Sequence, residues 1–355
     1  MSMQHTDTLH VFFRQSGLSL VELMISLAIG LVLLLGISTL IVQQNTTRNE
    51  MEKSSRQIES GRYAIQLLHD DIALAGFFGE YSPAPPFAMT LPDPCLTTGN
   101  LGWDSAKLTR SVPVPIIGYA GAGADPTPSA CLDNYKPNTA VLVLRRASTA
   151  SIPVASAVAA TTFLQVTRCS SEADATPFVL GTGGFKLHLD NCVSAPPGTL
   201  ASLRPYIVRI YYISSCSVCG TDTIPTLKMV EFVGGARTLV PLVEGIENMQ
   251  FEYGIDTLGG RAVDAATNVC VPAAGGDGSA DTYTATPAAG NWQNVMTVRV
   301  NLLARNNDIT PGYTDDKSYS LGEAASSVSP GGSYKRHVYS QLIRATNPSG
   351  RRERC

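Results

Sequence analysis

Proline is absent before Pro83, cysteine before Cys95, and charge from Leu23 to Val42. The first absence leaves the opening stretch without a residue that breaks a helix. The second puts all 8 cysteines, at 95, 131, 169, 192, 216, 219, 270 and 355, on one side of the uncharged run. Charged residues make up only 15% of the 355 positions, with formal net charge -3, and apolar residues make up 44%. That balance excludes a strongly basic nucleic-acid binder and a disordered chain, and suits one or two folded domains. Histidine is sparse as well: His5, His10, His188 and His337 are scattered, with no Ser-His-Asp or Cys-His constellation around them. There is no internal repeat.

What is present begins with the uncharged run itself. At about 1.5 Å per residue, roughly twenty residues cross the ~30 Å hydrocarbon core as a helix. A secretory signal has an apolar region of about 7–15 residues and a small-residue cleavage site, whereas this run ends in Gln43-Gln44-Asn45-Thr46-Thr47. One carboxylate, Glu22, stands at its edge, five residues after Gly17. A carboxylate near the centre of a membrane helix costs about 2.5–3.5 kcal/mol, so Glu22 needs a partner. In the leader Met1 to Gly17, Arg14 is the only Lys or Arg, which places the leader on the cytoplasmic side.

Helical periodicity continues past the run. Met51, Ile58, Ile65, Leu68, Ile72 and Ala75 share a stripe, while Arg48, Glu50, Glu52, Lys53, Arg56 and Glu59 take other faces. The pattern predicts one helix from about Leu18 to about Ala75, on the order of 85 Å long, its first half in lipid and its second half on a soluble domain. Gly30, Gly36 and Gly61 weaken it locally, with bending expected near Gly36-Ile37-Ser38-Thr39. From Tyr81 to Pro137 the chain is rich in proline and glycine and reads as long loops, with Cys95 and Cys131 available as a staple. Strand-like runs follow at Ala140–Arg145, Thr162–Thr167, Phe185–Leu189, Tyr206–Ile213, Leu227–Val233, Met249–Tyr253, Val295–Leu303 and His337–Ala345. Their turn-rich spacing argues for an antiparallel sheet with one face on a helix, an α+β fold. Gly259 to Gly290 reads as an exposed excursion, and Arg351-Arg352-Glu353-Arg354-Cys355 as a solvated tail.

In an oxidising compartment Cys95, Cys131, Cys169, Cys192, Cys216, Cys219, Cys270 and Cys355 are all candidate disulfide cysteines, and eight cysteines leave the pairing open. Cys216-Ser217-Val218-Cys219 has no second CxxC or HxxxH to complete a zinc site, and reads as a loop staple. His69-Asp70-Asp71 reads as a polar step at a helix end. Asp277 and Asp281 lack the order and closing glutamate of a calcium loop. Glu244 and Glu247 serve either the fold or a neighbouring subunit. No cofactor, metal or nucleic acid is expected.

Gly17-Leu18-Ser19-Leu20-Val21-Glu22-Leu23 resembles the type IV prepilin signature, in which a leader ends in glycine, an apolar residue follows and a glutamate stands fifth. His69-Asp70-Asp71-Ile72-Ala73-Leu74-Ala75-Gly76-Phe77-Phe78-Gly79 resembles the helix end of PilW-type minor pilins, with Ala73 where arginine is usual. Leu242 to Gly254 resembles a block shared by PilW proteins and GspJ-like pseudopilins, and Trp292, Val295 to Asn306 and His337 to Asn347 resemble the closing strands of the same group.

The resemblance implies a type IV pilin-like α+β fold: a leader over 1–17, a transmembrane helix half over 18–42, an amphipathic periplasmic helix half over 43–80 and a β-rich head over 81–355. It implies processing by prepilin peptidase between Gly17 and Leu18, methylation of the Leu18 amine, and filament packing through Glu22. Partners would be other minor pilins, the major pilin, prepilin peptidase, the pilus assembly platform and the membrane. Location would be single-pass in the inner membrane with a periplasmic C-terminal domain, then the pilus tip. The implied function is a non-enzymatic minor pilin that primes assembly. A GspJ-like pseudopilin of type II secretion and, more remotely, a membrane-anchored periplasmic thiol oxidoreductase using Cys216 and Cys219 are the alternatives.

Overall fold

The computed structural model describes residues 17, 19–83, 89–106, 110–121, 131–190, 192, 199–233, 236–257, 261–263, 266, 270–272, 276–322 and 327–353, with backbone alone for 261–263 and 270–272. The leader before Gly17, Leu18, the Cys270 side chain and Cys355 lie outside the described residues. The chain divides into two compact units, Met1–Glu52 and Lys53–Cys355.

Helix α1 (Leu20–Leu74) begins in the first unit. There it is apolar on every side, and each large apolar side chain from Leu20 to Val42 is more than half exposed, from Leu23 at 52% to Leu20 at 75%. By length and composition this stretch can cross a membrane.

In the second unit α1 buries Gln57, Gly61, Ala64, Leu68, Asp71 and Ile72, which recur every three or four positions. This corrects the stripe expected from periodicity. Leu68, Ile72 and Ala75 are buried and Ile65 is partly buried, but Met51 and Ile58 are exposed at 67% and 42%. The buried stripe uses small and polar residues because strands approach closely. A Cβ on Gly61 would run into the Tyr339 ring, and Gln57 Nε2 donates to the carbonyls of Ala304 at 2.8 Å and Lys335 at 3.1 Å.

The strands, in order, are β1 (Met89–Thr90), β2 (Val112–Pro113), β3 (Ile116–Tyr119), β4 (Val141–Ala147), β5 (Phe163–Val166), β6 (Phe178–Gly181), β7 (Leu203–Ser214), β8 (Thr226–Val233), β9 (Ala236–Glu244), β10 (Ile246–Ile255), β11 (Arg261–Val263), β12 (Cys270–Pro272), β13 (Thr282–Thr284), β14 (Val295–Arg305) and β15 (Arg336–Arg344). Short helices α2 (Ser170–Ala173) and α3 (Thr346–Arg352) complete the elements used below. One antiparallel sheet is built around β7, which pairs with β4, β5 and β8, with β3, β6 and β9 outside them. A second, four-stranded sheet runs β13-β10-β14-β15, and β1-β2 and β11-β12 form two-stranded sheets. The two larger sheets share one core, joined where the Ala140 amide donates to the Met249 carbonyl at 2.8 Å.

Because successive residues of a strand face opposite ways, the neighbours Arg145 and Arg146 on β4 report on both faces of the first sheet. Arg146 meets Asp71 of α1, whereas Arg145, 1% exposed, donates to the carbonyls of Pro92 and Val114. Segments from the proline-rich stretch therefore cover the face away from the helix. Trp103 anchors them there, edge-on to Phe78, Phe178 and Tyr206. Both faces of β7 are consequently buried despite its alternating sequence.

Two further expectations need correction. Phe185 to Leu189 forms no strand, only an isolated bridge of His188 with Leu200, while β9 fills Ala236–Glu244, where no strand was expected. The C-terminal segment is docked rather than solvated. Asn347 Nδ2 donates to the Leu74 and Ala75 carbonyls, and Arg351 to that of Gly76, satisfying groups that the end of α1 leaves open. Arg352, 4% exposed, pairs with Asp256 at 3.3 Å.

Candidate functional site

The first candidate is the entry to α1. Gly17 is exposed, with nothing within 4 Å of where a Cβ would stand. Two residues on, Ser19 and Glu22 form a reciprocal cap: the Ser19 amide donates to Glu22 Oε2 and the Glu22 amide donates to Ser19 Oγ, both at 3.2 Å. This is the Ser-x-x-Glu capping box, which satisfies amides that a helix start leaves unpaired. The local signal for it is Ser19-Leu20-Val21-Glu22, which the cost of an isolated charge does not reveal. Among the described residues only Oε2 of Glu22 accepts a hydrogen bond, so Oε1 is open to a cation. From Leu20 onward the helix offers a continuous apolar surface far larger than a soluble monomer exposes, as expected of a surface that meets lipid or other helices.

The second candidate is the end of α1, where Asp71 is a clamp. Its Oδ1 accepts from Arg146 Nε at 2.9 Å and Arg209 Nη1 at 3.0 Å, and its Oδ2 from the Tyr211 hydroxyl at 2.9 Å. Arg209 Nε also donates to Glu231 at 2.6 Å. Burial works against the Arg209 charge, but Asp71, Tyr211 and Glu231 outweigh it and raise its pKa. Burial and the Asp71 charge together push the Tyr211 hydroxyl up. The partners lie far from Asp71 in sequence, so no local motif announces them.

Elsewhere the acidic residues are held by the fold. Glu247 accepts from Arg336 through both oxygens, at 2.5 and 3.3 Å, and lies 3.7 Å from Lys136. Arg336 also donates to Asp315 at 2.7 Å. Glu244 is exposed and accepts from the Ser217 hydroxyl at 2.7 Å and from Asn307 at 3.1 Å. Asp281 accepts from the Thr257 amide and hydroxyl, and Asp277 from the Ser279 amide. Among the described residues three disulfides are formed, Cys95–Cys131, Cys169–Cys192 and Cys216–Cys219.

Residues 12–38 match the family model described as Prokaryotic N-terminal methylation motif, and residues 210–347 match that of Type IV Pilus-assembly protein W. The chain therefore carries a PilW-like region and a prepilin-type N-terminal motif. No curated protein and no solved structure matches it. The methylation motif contains Gly17, the Ser19–Glu22 cap and the first turns of the apolar helix. The PilW match runs from the middle of β7 to the start of α3 and so takes in the whole second sheet. Its block from Leu242 to Gly254 turns at Gly245, with φ +79°, where a Cβ would stand 2.7 Å from the Arg305 carbonyl oxygen. Only glycine fits there, and the turn sends β9 into β10. The apolar helix and the prepilin motif fit a membrane-anchored pilin.

Proposed function

We propose that this protein is a minor pilin that helps to prime assembly of a type IV pilus, seated at or near the filament tip with other minor pilins. Prepilin peptidase removes the leader 1–17 after Gly17, the new Leu18 amine is methylated, and the major pilin and assembly platform receive the processed chain. Before assembly it crosses the inner membrane once, through 18–42, with 43–80 and the head 81–355 in the periplasm. One observation carries this reading: a methylation motif over residues 12–38 and a PilW match over 210–347 occur on one chain.

Glu22 then has two tasks. Through Oε2 it caps its own helix, and through Oε1 it neutralises the Leu18 amine of the adjacent subunit, setting the axial register as a buried polar group does in a coiled coil.

The test is deletion of the gene, complemented by wild type or by a Gly17 variant that cannot be cleaved. Surface pili should disappear on deletion, return with wild type and stay absent with the uncleaved form. Pili persisting in the deletion, with protein secretion lost instead, would contradict the pilus reading and favour the pseudopilin.

A further inference from the structure

The three disulfides differ in their surroundings. Cys95–Cys131 and Cys169–Cys192 join positions 36 and 23 residues apart, and Cys169 is 1% exposed. Cys216–Cys219 joins positions 3 apart in the loop between β7 and β8, with Cys216 buried and Cys219 exposed. A cation stands against the exposed partner. Lys228 on β8 is only 4% exposed, and its Nζ donates to Cys219 Sγ at 3.7 Å, its one acceptor among the described residues.

A buried ammonium is ordinarily held by a carboxylate or by carbonyl oxygens, because its charge is costly to remove from water. Lys228 feels the Asp222 carboxylate, but its hydrogen bond goes to a neutral disulfide sulfur, and that contact strengthens once negative charge appears on the sulfur. Ser214 and Ser215 add hydroxyl oxygens at 3.9 and 3.8 Å from Cys216 Sγ. Opening this bridge need not disturb the sheet. The β7–β8 ladder pairs through Ser214 with Thr226, and Asp222 holds the loop by accepting the Ser217, Val218 and Ile224 amides at 2.7 to 2.9 Å.

We infer that Cys216–Cys219 is a thiol–disulfide exchange site for low-molecular-weight thiols, with Cys219 the sulfur attacked first and Lys228 the residue that stabilises the Cys219 thiolate released in the second step. A thiolate forms a bond to Cys219 Sγ, the Sγ–Sγ bond breaks, and its electron pair leaves on Cys216 Sγ, which takes a proton from solvent. A second thiolate attacks the external sulfur of the mixed disulfide and releases Cys219 as thiolate. Two external thiols are thereby oxidised to a disulfide and the protein cystine is reduced to two cysteines.

The experiment uses the full-length protein in detergent, exposed briefly to limiting dithiothreitol or to glutathione, quenched with iodoacetamide and mapped by mass spectrometry. Cys216 and Cys219 should be alkylated at least about tenfold faster than the other two bridges, with the glutathione adduct on Cys219. Lys228→Met should make the glutathione adduct on Cys219 persist about tenfold longer, and Lys228→Arg should restore most of the rate of its release. The order of opening in the wild type stands even if a variant misfolds. Equal rates for the three bridges, an adduct on Cys216, or a folded Lys228→Met protein that releases the Cys219 adduct as fast as wild type would overturn the inference.

Discussion

Glu22 and Ser19 bond each other's backbone amides at 3.2 Å, so the carboxylate at the edge of the apolar run also starts the helix. The two roles separate by substitution. Glu22→Gln keeps an acceptor for the Ser19 amide but loses the charge, whereas Ser19→Ala loses the cap at about 1 kcal/mol and keeps the charge. Immunoblots of sheared filaments should show Glu22→Gln excluded and Ser19→Ala retained. Amide exchange at the start of α1 should rise only in Ser19→Ala. Normal incorporation of Glu22→Gln would remove the amine-pairing role.

Asp71 joins the helix to the first sheet through Arg146, Arg209 and Tyr211. Removing one partner of such a buried group strands the others, which costs about 3–5 kcal/mol. Asp71→Ala should therefore lower the urea midpoint of the head strongly. Asp70→Ala, whose side chain is 66% exposed, should leave the midpoint nearly unchanged.

Acid should loosen the second sheet. Burial alone would raise Glu247 and Asp315, but hydrogen bonds from Arg336 outweigh it, joined by Lys136 at Glu247 and Tyr319 at Asp315, and both pKa values are lowered. A depressed carboxylate stabilises the fold fully above its unfolded value, near 4, and loses that contribution as pH falls through the folded value. Thermal melts from pH 7 to pH 2 should show stability falling below about pH 4. The fall should be shallower in the Glu247→Gln, Asp315→Asn double variant; an unchanged slope would assign acid sensitivity elsewhere.

Gly61 should not tolerate a side chain. Alanine favours a helix over glycine by about 1 kcal/mol, yet the new methyl would meet the Tyr339 ring. Overpacking of this kind costs about 1–3 kcal/mol, so Gly61→Ala should be destabilised, and a second change of Tyr339→Ala should relieve the strain. A stabilised Gly61→Ala protein would mean that the ring yields.

Much of this was readable before the structure. The apolar run, the Gly17 and Glu22 spacing and most strands follow from periodicity and side-chain alternation, because each is a short-range property. Apart from the Ser19–Glu22 cap, what escaped depends on distant contacts. Gln57, Gly61 and Ala64 carry little apolar signal, yet they line the buried stripe because Tyr339 and the Ala304 and Lys335 carbonyls come close to them. Arg351 and Arg352 look like a solvated tail, but they serve the end of α1 and Asp256. Burial lowers the Arg351 pKa to about 10, and the neighbouring Arg352 charge adds to the effect. Composition could not reveal the Trp103 layer either, since prolines and glycines announce loops without saying which face those loops cover.

The most direct measurement is mass spectrometry of purified pili from a strain expressing the wild-type chain. The account predicts a minor component whose N-terminal peptide begins at an N-methylated Leu18, found together with other minor pilins. A chain absent from the pili, or one present there with residues before Leu18 still attached, would contradict it.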